Sequence, residues 1–121
     1  MQSQKAREYV ALSDNLFSVN DKVQYVAIAN VLGEIIDIYH NNGANSPSVL
    51  SKGRLSEDLR KITLATNVLT FENIRLMVLD TASSKALIIN LAEDTIIVGM
   101  SKDGVLPDLA RVLSCISRLG F

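Results

Sequence analysis

The sequence predicts an α+β domain: a five-stranded antiparallel sheet with helices on both faces, in the order α-β-β-α-β-β-β-α. Three observations predict it. The period of the apolar residues switches from helical to strand-like and back along the chain. Connections inside each group of strands are only a few residues long, so sequential strands run antiparallel. Two late strand-like runs are apolar at successive rather than alternate positions, so both faces of the sheet centre need cover.

The first helix is read from Ala6, Tyr9, Val10, Ser13, Leu16 and Phe17, which fall on one stripe, with Lys5, Arg7, Glu8 and Asp14 outside it. Asn20 and Asp21 provide the stop. Residues 23–29 are rich in strand formers, and 34–40 make the return strand. Between them Gly33 is placed to adopt the left-handed conformation that closes a hairpin loop. Residues 41–54 carry Gly43, Gly53 and Pro47 among asparagines and serines; this is the longest loop of the reading and its expected mobile segment. Helical spacing returns over 55–71, with Ser56 available as N-cap and Glu57 and Asp58 favourable at the positive helix end. Strands are expected over 74–79, 85–91 and 95–100, with turns at 80–84 and 92–94. Pro107 opens the final helix, whose stripe is Leu109, Val112, Leu113, Ile116 and Leu119, with Arg111, Ser114 and Arg118 opposite.

Composition narrows the class. At 121 residues the chain is expected to be one domain. Hydrophobic residues make up 48% of it and the mean hydropathy is +0.23, high enough to require either a sheet covered on both faces or apolar surface kept for a partner. Twelve Lys and Arg against 13 Asp and Glu, with no block of like charge, argue against nucleic acid and against an anionic membrane bound by charge alone. A single cysteine, Cys115, excludes an intrachain disulfide. No apolar run reaches the roughly 18 residues of a transmembrane helix, and the charged first fifteen residues lack the apolar core of a secretion signal. A cytoplasmic protein is expected.

The middle helix is the informative one. At about 100° per residue, Leu55, Leu59, Ile62, Thr66 and Leu69 cluster on one side, and Leu64, Val68 and Phe71 on roughly the opposite side. A helix covering one sheet face needs only the first stripe. Either the long loop or a second chain must cover the other. The run 74–79 favours the second chain, because it lies one connection away and is a candidate unprotected edge strand. The expected self-association surface is thus Leu64, Val68, Phe71, Ile74, Leu76 and Val78.

This element order is that of the roadblock/dynein light-chain fold, and the chain resembles that family from Ala6 to Leu119. The segments that carry the resemblance are VQYVAIANVLGEII and IRLMVLDTASSKALIINLAEDTIIVGMS, most similar to the short stand-alone archaeal members. The resemblance implies a roadblock/profilin-like sheet with the first and last helices on one face and the middle helix on the other. It also implies a dimer joined through the third strand and middle helix. Family members are non-enzymatic platforms that bind small Ras-like GTPases or motor components, some of them promoting GTP hydrolysis or nucleotide exchange. The 41–54 loop is longer than the family pattern, and no functional residue is carried over.

Chemistry-bearing motifs are missing. There is no phosphate loop, dinucleotide fingerprint or nucleophile elbow. His40, the only histidine, reads as a strand-end residue, and Cys115 as a small packed hydrophobe. Glu93 and Asp94 read as solvated turn residues, and Asp103-Gly104 as a turn. Arg54, Arg60, Arg75, Arg111 and Arg118 each read as solvated, since an arginine finger is defined by geometry. No catalytic residue, metal site or cofactor is expected. The leading expectation is a homodimeric adaptor or regulator for a small GTPase. The alternatives are a PAS-like small-molecule sensor, which would place its helices on one sheet face, and a longin- or profilin-like trafficking or cytoskeletal module.

Overall fold

The structure, a computed structural model, describes residues 4–30, 33–41, 53, 55–61, 76–80, 82, 84–91 and 93–121. Helix α1 (Gln4–Val19) precedes a hairpin of β1 (Val23–Asn30) and β2 (Ile35–His40). Residue 53 and residues 55–61 are helical and belong to α2. Strands β3 (Leu76–Asp80), β4 (Ser84–Asn90) and β5 (Asp94–Ser101) follow, then α3 (Leu106–Arg118). The sheet has five strands in the order β2-β1-β5-β4-β3, with every neighbouring pair antiparallel.

The hairpin closes as its sequence requires. Gly33 has φ +81°, its N–H donates to Asn30 O at 3.0 Å, and the Asn30 N–H donates to Glu34 O at 2.9 Å. The Asn30 side chain adds a bond, its Oδ1 accepting the Glu34 N–H at 3.0 Å. A Cβ on Gly33 would meet only Arg60 Cγ, at an ordinary 3.5 Å, so the backbone alone imposes glycine here. Gly33→Ala is expected to lose about 1–2 kcal/mol by chemical denaturation with the fold retained by circular dichroism.

Two apolar clusters lie on opposite faces of the sheet. Ile96, Val98 and Met100 of β5 point to one, with Leu12 and Leu16 of α1 and Val112 and Ile116 of α3. Ile97 points to the other, where Leu55 and Leu59 of α2 pack on Ala27, Ala29 and Ile88. Central residues of β5 are therefore buried in succession, as the run of apolar residues demands. Helices cover both faces, the arrangement expected from the order of the elements and unlike the single-face cover of a PAS sensor.

Several local expectations are corrected. The buried line of α1 includes Leu12, fully buried, while Val10 and Phe17 are only half-buried. The cause is that α1 packs on α3 as well as β1, which widens and turns its buried arc. Ser56 is not an N-cap, because the helix has already begun; its Oγ accepts the Ile35 N–H at 3.0 Å and ties α2 to the start of β2. Leu119 is 41% exposed, since α3 ends at Arg118 and the periodicity stops with it. Phe121 instead folds back to stack on Tyr9, ring centroids 5.6 Å apart. Asp94 is half-buried and accepts the Tyr9 hydroxyl at 2.6 Å. Among the described residues no helix is long and apolar enough to cross a membrane.

Candidate interaction surface

The strand order leaves two edges, β2 and β3, and they differ. On β2 the register with β1 breaks: Ile28 faces Asp37 and Ala29 faces Ile35, so Ile36 is an inserted residue. The bulge twists this edge and Asp37 beside it adds a charge, two devices that prevent pairing even though the inserted Ile36 is 54% exposed. On β3 all five residues pair with β4 in one unbroken register, from Leu76 opposite Ile89 to Asp80 opposite Lys85. Its outer row of backbone donors and acceptors faces no strand among the described residues.

Side chains of β3 separate by face. Met77 and Leu79 lie half-buried against the cluster under α2. Leu76 and Val78 point the other way, on the same face as their cross-strand partners Ile89 and Leu87, which contribute to the cluster under α1 and α3. Yet Leu76 is 43% and Val78 46% exposed, because α1 and α3 do not extend over this edge. An unbulged strand with apolar side chains in water carries the ordinary liability of an open edge, a row of backbone groups free to pair with another strand.

Of the six residues expected to form the interface, Leu76 and Val78 lie side by side on this edge. Leu64, Val68, Phe71 and Ile74 fall outside the described residues, as does the 41–54 loop apart from Asn41 and Gly53. His40 is exposed and Cys115 buried in the core. Arg60, Arg111 and Arg118 are exposed and far from forming one site; Arg54 and Arg75 are outside the described residues. Among the described residues no three His, Cys, Asp or Glu side chains converge as metal ligands.

One buried polar cluster went unrecognised in the sequence. Asp108, in the first turn of α3, accepts the Val105 N–H at 2.8 Å and Asn20 Nδ2 at 3.0 Å, and pairs with Lys22 Nζ at 3.2 Å. The backbone bond first, then the Asn20 bond and Lys22, hold the carboxyl down at about 2 against the opposing effect of burial. Nearby, Lys85 Nζ donates to the Lys102 and Gly104 carbonyls, and Lys22 Nζ to Asp103 O. The Asn20 and Lys22 bonds fix the turn between β5 and α3 to the turn between α1 and β1, and the Lys85 bonds fix it to β4. Their role is architectural, because every acceptor is used inside the fold. Asp at the third helical position after an extended residue is half of a capping box and was readable; its partner Asn20, 88 residues away, was not. Since the folded-state value lies below the ordinary one of about 3.9, this carboxylate stabilises the native state above roughly pH 4 and ceases to do so as pH falls toward 2. Asp108→Asn is expected to lower the Tm by several degrees at pH 7 and to flatten the loss of stability between pH 5 and pH 2, followed by thermal melts.

No protein-family model matches the sequence, and no curated protein sequence matches it. Solved structures do match the fold. An MglB with a tetrameric arrangement superposes with a TM-score of 0.76 over 98% of this chain and 87% of that one, at 10% identity. A roadblock/LC7 domain from Streptomyces avermitilis gives 0.61 over 90% and 92%, at 8% identity. A Schizosaccharomyces pombe profilin gives 0.58 over 92% and 98%, at 8% identity. The chain therefore has a roadblock-like fold, the α+β architecture that profilins share.

Proposed function

We propose that this roadblock-fold chain is a non-enzymatic adaptor or regulatory module that acts as a homodimer and presents a composite surface to a small Ras-like GTPase. The observation that carries the reading is the asymmetry of the sheet edges: β2 is bulged and charged, whereas β3 is unbroken and exposes Leu76 and Val78. Pairing two copies antiparallel through β3 satisfies both outer rows of backbone groups and buries both apolar pairs at once. It brings the two middle helices together, which is the use the sequence suggests for Leu64, Val68 and Phe71. The tetrameric arrangement of the similar MglB supports self-association as a property of this fold. The family resemblance supports a GTPase as partner, and the single cysteine, buried and without a possible intrachain disulfide, supports a cytoplasmic location.

Light scattering coupled to gel filtration tests the first half. Wild type is expected to run as a dimer at micromolar concentration, and Leu76→Asp/Val78→Asp as a folded monomer, because two charges would be buried without partners. A wild-type monomer at tens of micromolar, or an unchanged dimer in the variant, would sink the reading. Leu64→Asp/Val68→Asp tests the helix contribution in the same way. Capture of a purified Ras-like GTPase, loaded with GTP analogue or GDP, tests the second half: wild type binds and both variants do not. The profilin likeness supports one competing reading, a cytoskeletal module, and binding of monomeric actin in place of the GTPase would select it.

A further inference from the structure

The face of the sheet beneath α2 is incompletely filled. A cleft of about 140 Å³ opens there, with Leu59, Ala86, Ile88 and Ile97 among its walls and Tyr25, Asp58 and Ser84 as polar members. An apolar cavity of about 150 Å³ is enough to take up benzene. The Tyr25 wall is held in position: its ring lies against Gly99, where a Cβ would come within 1.9 Å of the ring. Asp58 is exposed, and among the described residues it has no cationic partner. The space is thus walled mostly by apolar side chains, with the Tyr25 ring and Ser84 among the walls and the exposed Asp58 carboxylate beside them. Burial first, and the Asp58 charge second, raise the Tyr25 hydroxyl above its ordinary value, so at neutral pH the phenol is a neutral donor and not a competing anion.

We propose that this cleft is a binding site for a small organic cation, a benzene-sized apolar body carrying one ammonium group. The apolar body occupies the space between Leu59 and Ile88, and the ammonium pairs with Asp58 at the rim. The Tyr25 ring face offers a cation–π contact to the same group. An anion of the same shape is disfavoured by Asp58. The site lies on the α2 face and includes Leu79 of β3 in its wall, whereas Leu76 and Val78 of the same strand point to the opposite face.

Titration of the full chain with benzylamine, benzyl alcohol and benzoate, followed by amide chemical shifts in NMR, separates the contributions. Benzylamine is expected to shift the Leu59, Ile88 and Ile97 amides and to bind roughly two- to five-fold more tightly than benzyl alcohol, the scale of an exposed ion pair. Benzoate is expected to bind more weakly than either. Asp58→Asn, at an exposed position that leaves folding intact, should erase the preference for the amine while keeping alcohol binding. Ala86→Leu should fill the cleft and abolish both. Absence of shifts at those three amides with millimolar benzylamine overturns the proposal, as does an amine preference that survives Asp58→Asn. Shifts confined to the β3 edge overturn it too.

Discussion

Leu12→Ala is expected to remove about 2–5 kcal/mol from the free energy of unfolding, the cost of a large-to-small change in a packed core. Leu12 is 0% exposed and lies in the cluster that joins α1 to the sheet and to α3. Three elements meet at its side chain, so none can close the space left behind without giving up contacts with the other two. The comparison that matters is Val10→Ala. Val10 belongs to the helical stripe read from the sequence, yet it is half-buried and outside the cluster. Truncating it removes two methyl groups from a site that water already reaches, and the loss should stay below about 1 kcal/mol. Urea unfolding at constant m-value measures both. Equal losses would mean that α1 is rotated from the orientation described.

Gly99→Val is the second large effect, and its origin is steric excess. Tyr25 and Gly99 are direct partners across β1 and β5, and the absence of a side chain on Gly99 is what lets the ring lie flat on the strand. A Cβ at this position would stand 1.9 Å from Cε1 and 2.3 Å from Cζ, so the ring must leave. Leaving uncovers Ala86, Ile97 and the rest of the apolar surface beneath α2. Overpacking of this kind costs typically 1–3 kcal/mol. The coupling has a signature. In the Tyr25→Ala background, Gly99→Val should be nearly neutral, since the space it needs is then free and valine favours a strand. If the two losses simply add, the ring and the glycine are not in contact.

The parts of this molecule legible in its sequence are those whose cause is local. Gly33 announces its turn because a left-handed residue is needed between two strand-like runs. Pro107 marks the first turn of α3, and the consecutive burial of Ile96, Ile97 and Val98 follows from a run with no polar face. The exposure of Leu76 and Val78 was anticipated through the suspicion of an edge strand. What the sequence hid depends on partners that folding brings together. Leu12 is chosen over Val10 by the packing of α1 against both α3 and β1. Asn20 reads as a helix stop, and only the fold reveals that its amide donates to Asp108. Gly99 inside a strand was a signal of close approach, but Tyr25 could be named only once β1 lay beside β5.

That neighbour relation also decides the order in which the molecule can assemble. The β1–β2 hairpin closes through a four-residue connection and can form early, but β1 cannot complete its other side until β5 arrives, with Val23 meeting Met100 and Asn30 meeting Asp94. On a ribosome, β1 therefore waits with an open, apolar edge while more than half of the chain is made. Non-local pairing of this kind slows folding and lengthens exposure to wrong partners. The central strand of the finished sheet is the last to be synthesised, which makes nascent β1 the place where chaperone binding or aggregation is expected first.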